Sequence, residues 1–216
     1  MKPRVVLCFS GGMDSTYMAY ALANADFHVI PLFVEMSCMK QGKHACLYSN
    51  STQAEMLESY EYLQTKVQLG SPIIINEVFP DDFDNTFPGR NLFLLTTALQ
   101  HALRRDAPFV AMGLYGDVEN PDYPDSSFWF IQHMRELVSR CGMYTRLMFM
   151  EHVHVESKAE VLARLLDKGL FGAFIHHTHW CYERSESMNI WGRGCGTCTS
   201  CKNMQEAYGA AVARNI

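Results

Sequence analysis

The segment Val5–Leu22, VVLCFSGGMDSTYMAYAL, constrains the fold more tightly than any other stretch of the chain. Its apolar run Val5–Phe9 suits a buried parallel strand. The run passes directly into Ser10-Gly11-Gly12-Met13-Asp14-Ser15-Thr16, and Thr16–Ala25 has helical character through Tyr17, Met18, Ala21 and Leu22. Val29–Val34 reads as a second strand. A strand, a glycine turn, a helix and a strand in this order commit the chain to a β-α-β opening and hence to a parallel sheet.

The rest of the chain continues the alternation. Ala54–Leu69 carries Leu57, Tyr60, Leu63 and Val67 at helical spacing, and Pro72–Val78 contains the strand-like Ile73-Ile74-Ile75. Asn91–Arg105 predicts a helix with Leu92, Leu95, Leu99 and Leu103 on one face, followed by a strand over Phe109–Leu114. Ser127–Arg140 predicts a helix and Leu147–Val153 a final strand, whereas the polar Met36–Ser51 and the proline-containing Gly116–Ser126 read as loops. The expected fold class is α/β, a doubly wound parallel sheet with helices on both faces. Sites in such folds lie beyond the carboxyl ends of the strands, where the SGGMDS, PGRN and GLYGD segments fall. After Gly169 the composition shifts to His, Trp, Gly and Cys. The expected division is therefore 1–170 for the α/β domain and 171–216 for a small metal-stapled subdomain packed on it.

With 48% hydrophobic and 19% charged residues in 216, the composition is that of a soluble globular protein. No apolar run approaches the roughly 18 residues of a membrane helix, and MKPRVV leads straight into a strand, so a cytoplasmic protein is expected. A net charge of −5 without a Lys/Arg-rich run argues against a nucleic-acid partner; Arg104-Arg105 with His101 reads as a solvated helix face.

The glycine turn has the makings of a phosphate cradle. It is neither G-x-x-x-x-G-K-[ST], since Met13-Asp14 follow Gly12, nor G-x-G-x-x-G. Two glycines let successive N–H groups face one anion, Ser10, Ser15 and Thr16 add hydroxyls, and the helix N-terminus adds partial positive charge. Asp14 would repel phosphate unless Mg²⁺ lay between them, so it reads as a Mg²⁺ holder. The plainer alternative is a turn with Asp14 or Ser15 as helix cap.

A second constellation closes the chain: Cys181, Cys195, Cys198 and Cys201, spaced C-x13-C-x2-C-x2-C. Four thiolates complete a tetrahedral Zn²⁺ shell of the structural kind. A redox C-x-x-C pair and an iron–sulfur cluster are the alternatives. His176, His177 and His179 nearby read as packing or supporting groups; Cys8 reads as a core residue, and Cys38, Cys46 and Cys141 receive no role.

The S-G-G-x-D-S-T loop resembles the pyrophosphate loop of the N-type ATP pyrophosphatases, the group of GMP synthetase, argininosuccinate synthase and the tRNA-thiolating enzymes. That likeness implies a PP-loop fold of the adenine nucleotide alpha-hydrolase type and adenylation of a substrate oxygen. Together with the cysteine knot, Thr86-Phe87-Pro88-Gly89-Arg90-Asn91, the stretch from Gly113 to Tyr123-Pro124-Asp125, and Ser157-Lys158-Ala159-Glu160, the chain resembles the 7-cyano-7-deazaguanine synthase family of the queuosine pathway over nearly its whole length. The resemblance implies ATP-dependent carbon–nitrogen ligation, in which 7-carboxy-7-deazaguanine and free ammonia give the nitrile through adenylated acid and amide. It implies ATP, Mg²⁺ and Zn²⁺ as cofactors and a small-molecule partner, with a homodimer as an option.

The implied nucleotide site is Phe9, Ser10, Gly11, Gly12, Met13, Asp14, Ser15, Thr16 and Gly113. Asp14, Arg90 and Lys158 are the implied catalytic residues. Arg90, Asn91, Asp117, Tyr123 and Asp125 are the implied substrate contacts, although Pro88-Gly89 also reads as a tight turn and Ser157–Glu160 as a capping box. Two departures stand out. Met13 occupies a position where the family often has Gln, and Ser126-Ser127 replace its Cys-Arg after Tyr-Pro-Asp. The alternatives are a relative that uses another deazaguanine acid, stops at the amide or conjugates the base; a tRNA-thiolating adenylase; and a nucleotide-binding module without turnover.

Overall fold

The computed structural model describes residues 1–40, 43–46, 51–79, 89–116 and 124–214. Strand β1 (Arg4–Cys8) leads through the glycine turn into helix α1 (Met13–Asn24), and β2 (His28–Lys40) and β3 (Lys43–Cys46) follow. Then come α2 (Gln53–Gln64), β4 (Ile73–Phe79), α3 (Arg90–Leu103), β5 (Phe109–Met112), α4 (Phe128–Arg140) and β6 (Arg146–Met148). The chain ends with α5 (Lys158–Asp167), α6 (Phe171–His177), a short hairpin of β7 (Met188–Asn189) and β8 (Gly192–Arg193), and α7 (Thr199–Arg214).

Five strands pair in parallel in the order β4, β2, β1, β5, β6. From β1 the chain builds outward to β2 and β4, then crosses to β5 and β6 on the other flank. The order reverses between β1 and β5, and ligands of doubly wound sheets bind at such a switch point. The pleat sorts side chains to two faces. Val5, Leu7 and Phe9 pack with α1, α2 and α5, whereas Val6 and Cys8 pack with α3 and α4. That is the doubly wound arrangement read from the sequence.

Several expectations needed correction. Met36–Ser51 is not a loop throughout: β2 continues to Lys40, pairing along β4 as far as Cys38↔Phe79 and then antiparallel with β3. The partner strand β4 is exposed over Asn76–Val78, so this end of the ladder runs beyond the covered core and tolerates polar residues. The final strand stops at Met148, and Met150–Val153 is a 3-10 turn ending in left-handed His154, φ 58°. The second predicted helix ends at Gln64 instead of Leu69. In α3 the buried face is Leu95, Ala98, Leu99 and Ala102; Leu92 and Leu103 are exposed at 42% and 55%, because small alanines let the helix lie close on the sheet.

Beyond Gly169 the chain folds back onto the first face. Phe171, Phe174, Trp180, Trp191 and Met204 share one apolar cluster with Val5, Leu7, Met18 and Leu22, and α7 packs along α5. Among the described residues no helix is long and apolar enough to cross a membrane. Phe174 is fully buried, and its ring meets Tyr20 and Tyr62 edge-on at 6.0 and 5.5 Å. Phe174→Ala should therefore cost about 3–5 kcal/mol of stability in urea denaturation. A loss below about 1 kcal/mol would show that this staple does not tie the C-terminal segment to the sheet.

Candidate active site

The glycine turn fits only because one residue lacks a side chain. Gly11 has φ +77°, and a methyl group there would lie 2.8 Å from the Met56 Cα and 3.0 Å from the Ser59 Oγ. The Gly11 carbonyl accepts from the Ser59 hydroxyl at 2.8 Å and from the His179 amide at 3.2 Å. Ser51 donates to the Ser10 carbonyl. Inside the turn the Gly12 amide donates to the Ser10 hydroxyl at 3.3 Å, and the Ser15 hydroxyl donates to the Gly12 carbonyl at 3.2 Å. Gly12 caps α1 with no side chain, so the first-turn amides are left for an external anion. Thr16 lies behind the loop, fully buried.

The loop forms one wall of a cavity of about 410 Å³ between the ends of β1 and β5, within the roughly 300–1,000 Å³ of small-molecule sites. Phe9, Ser10, Gly12, Met13, Asp14, Ser15, Arg90, Asn91, Gly113 and Lys158 all border it. Gly113 approaches so closely that a methyl group there would sit 3.2 Å from the Asp14 carbonyl carbon. At the centre, Asp14 accepts from Lys158 Nζ at 2.7 Å and from the Tyr115 hydroxyl at 2.5 Å. Lys158 is the first residue of α5, capped by Ser157, whose hydroxyl accepts from the Glu160 amide at 3.3 Å; the Glu160 carboxylate reaches the Glu156 amide instead of Ser157.

Asn91 and Asp125 meet each other: Asp125 accepts from the Asn91 amide at 2.9 Å, and the Asn91 side chain donates to the Asp125 carbonyl at 3.0 Å. Asp125 thus caps α3 at the helix turn that carries Arg90. Asp117 and Tyr123, with Thr86-Phe87-Pro88, lie outside the described residues.

Sequence reasoning placed the GLYGD segment at the site but missed Tyr115 within it. It also gave His179 too little. The His179 backbone holds Gly11, while its ring pairs with Glu58 at 2.9 Å, beside His177 at 3.3 Å and Arg193 at 3.5 Å from the same carboxylate. Burial pushes the Glu58 carboxyl up, but the bond and charge of His179, the Arg193 charge and the His177 bond outweigh it and hold it below the usual range.

The four cysteines converge as their spacing predicts. Their sulfurs all lie within 4.8 Å of one another, with Cys195 and Cys201 3.9 Å apart. A tetrahedron with Zn–S bonds of about 2.3 Å has edges of roughly 3.8 Å, so the donor set fits one zinc ion. A multi-iron cluster spreads its cysteines over separate irons and needs a wider cage. Gly194 makes the approach possible: at φ +159°, a methyl group there would meet Cys201 Sγ at 2.4 Å. Hydrogen bonds from the Thr197 side chain and the Cys198 and Thr197 amides push the Cys195 thiol down towards the thiolate that a metal takes, whereas burial pushes the Cys201 thiol up.

Chelation of the purified protein should release about one zinc per chain and lower Tm by roughly 10 °C, a few kcal/mol for a chain of this size. Cys201→Ser should reproduce that loss. A metal-free protein with unchanged Tm would rule out a structural zinc.

The comparisons with known proteins agree with this geometry. The model of the queuosine biosynthesis protein QueC family matches residues 4–212. The 7-cyano-7-deazaguanine synthase of Methanosphaerula palustris is 27% identical over 226 residues, covering 95% of this chain and 94% of that protein. The protein of that name from Lawsonia intracellularis is 30% identical over 226 residues (94% and 92%), and that of Helicobacter acinonychis 27% over 221 residues (97% of each). A match across nearly every residue from β1 to α7 shows that the chain belongs to the queuosine biosynthesis protein QueC family.

Proposed function

We propose that the protein is an ATP-dependent carbon–nitrogen ligase that converts 7-carboxy-7-deazaguanine and ammonia to 7-cyano-7-deazaguanine. The observation that carries this reading is the uncapped N-terminus of α1, opening onto a cavity in which Lys158 pairs with Asp14 and which Arg90 also borders. Full-length similarity to proteins named for that synthase supports the substrate.

A free carboxylate is a poor electrophile because its oxygen leaves poorly, and adenylation supplies a leaving group. A carboxylate oxygen attacks the α-phosphorus of ATP, the bond to pyrophosphate breaks, and the acyl adenylate forms. Ammonia adds to the carbonyl carbon, loses a proton and expels AMP, giving the amide. The amide oxygen then attacks a second ATP, releasing pyrophosphate. Departure of AMP and of both amide protons leaves the C≡N bond. The first-turn amides of α1 and the Ser10 and Ser15 hydroxyls receive the pyrophosphate, with Thr16 buried behind them, and Arg90 and Lys158 stabilise charge developing on the phosphates. Asp14 would hold Mg²⁺, which when bound would supply positive charge to the phosphates. Asn91 and Asp125, the latter fixing the start of α3, act next to Arg90 at the carboxylate end; Asp117 and Tyr123 are further candidate contacts to the base. Residues 171–216 serve as a zinc-stapled subdomain on the ATP-binding domain 1–170.

A second reading ends the reaction at the amide. It is favoured by Ser127, which stands where the family has arginine and is occupied in capping α4, its hydroxyl accepting from the Phe130 amide at 3.3 Å.

Incubation with ATP, Mg²⁺, ammonia and 7-carboxy-7-deazaguanine, followed by mass spectrometry of the base, should yield the nitrile with two AMP per turnover. Accumulating amide with one AMP would select the second reading, and intact acid would refute both. Lys158→Ala should lower kcat about 10²–10³-fold, the scale for loss of one stabilising group at a developing charge.

A further inference from the structure

Two walls of the cavity differ in chemistry. The wall along the end of β2 and β5 is apolar, with Leu32, Val34, Met36 and Met112, and suits the face of an adenine ring. A second wall comes from the C-terminal segment, where Tyr182, Ser200 and Asn203 border the same cavity as Lys158. Ser200 and Asn203 stand three residues apart on α7, so both are presented by one helix face.

We infer that Tyr182, Ser200 and Asn203 form the recognition wall for the acceptor base, with the zinc knot as its frame; this rests on the adenylation reading above. In-line displacement requires the attacking oxygen to approach the α-phosphorus from the side opposite the pyrophosphate. With the pyrophosphate at the N-terminus of α1 and adenine on the apolar wall, the acceptor falls to the C-terminal side. The chemistry of that side fits a guanine-like bicycle. Its lactam carbonyl and ring N–H groups need paired donors and acceptors, which the Asn203 amide and Ser200 hydroxyl both supply, and its flat face needs an aromatic ring such as Tyr182.

The frame is covalently continuous with the wall. Cys181 directly precedes Tyr182, and Cys201 directly follows Ser200. Their sulfurs belong to the same shell, so one metal ion fixes both ends of the recognition surface. None of these three side chains is needed to close the zinc shell, so their role can be separated from folding.

The test compares wild type with Ser200→Ala, Asn203→Ala and the double variant, titrating 7-carboxy-7-deazaguanine at saturating ATP. Each single change should raise KM for the acid about three- to tenfold, the scale of one lost hydrogen bond, and the double change by tens. KM for ATP, zinc content and Tm should stay at wild-type values. Discrimination against 7-carboxy-7-deazaadenine, which lacks the lactam, should shrink by a similar factor in Asn203→Ala. An active wild type whose double variant keeps both its KM and its discrimination would overturn this inference alone. A wild type inert towards the acid overturns the proposed function and this inference with it.

Discussion

The candidate active site depends on how closely the backbone at Gly11 approaches helix α2. Only a residue without a side chain can hold φ +77° with its α-carbon packed against Met56 and Ser59. That contact orients the amides of the turn towards the cavity, and the Ser59 hydroxyl and the His179 amide lock it from behind through the Gly11 carbonyl. A looser loop would present the same donors with no common focus, and charge stabilisation rests on donors that need not reorganise.

The cysteine knot joins this arrangement from the far end of the chain. Cys181 lies two residues beyond His179, so the segment that braces Gly11 runs directly into the metal shell. The Glu58 carboxylate gathers His177, His179 and Arg193 around the same junction, adding ionic contacts beside the buried Trp180 and Trp191. A metal held by the four cysteines would therefore stabilise more than its own small hairpin.

What the sequence revealed follows from the range of each interaction. The turn, the cysteine knot and the alternation of strands and helices are local patterns, and each was legible from a few neighbouring residues. Tyr115 was not, because its hydroxyl acquires meaning only when β5 comes alongside α1 and meets Asp14. Tyr182, Ser200 and Asn203 were hidden for the same reason: nothing in their spacing tells which wall they border. Asp125 was read as a substrate contact, and its capping of α3 was not legible, since its partner lies 34 residues away. The β2 extension was misread because polarity marks a loop and an uncovered ladder alike.

The Asp14–Lys158 bond spans 144 positions, and Ser59 reaches the His177 carbonyl across 118. Contacts of such separation form late, after the chain between them has been ordered. During synthesis from the N-terminus the glycine turn emerges first, yet its counter-cation and brace are made last. An unfinished chain would carry the glycine turn without the lysine that pairs with Asp14 and without the segment that braces Gly11.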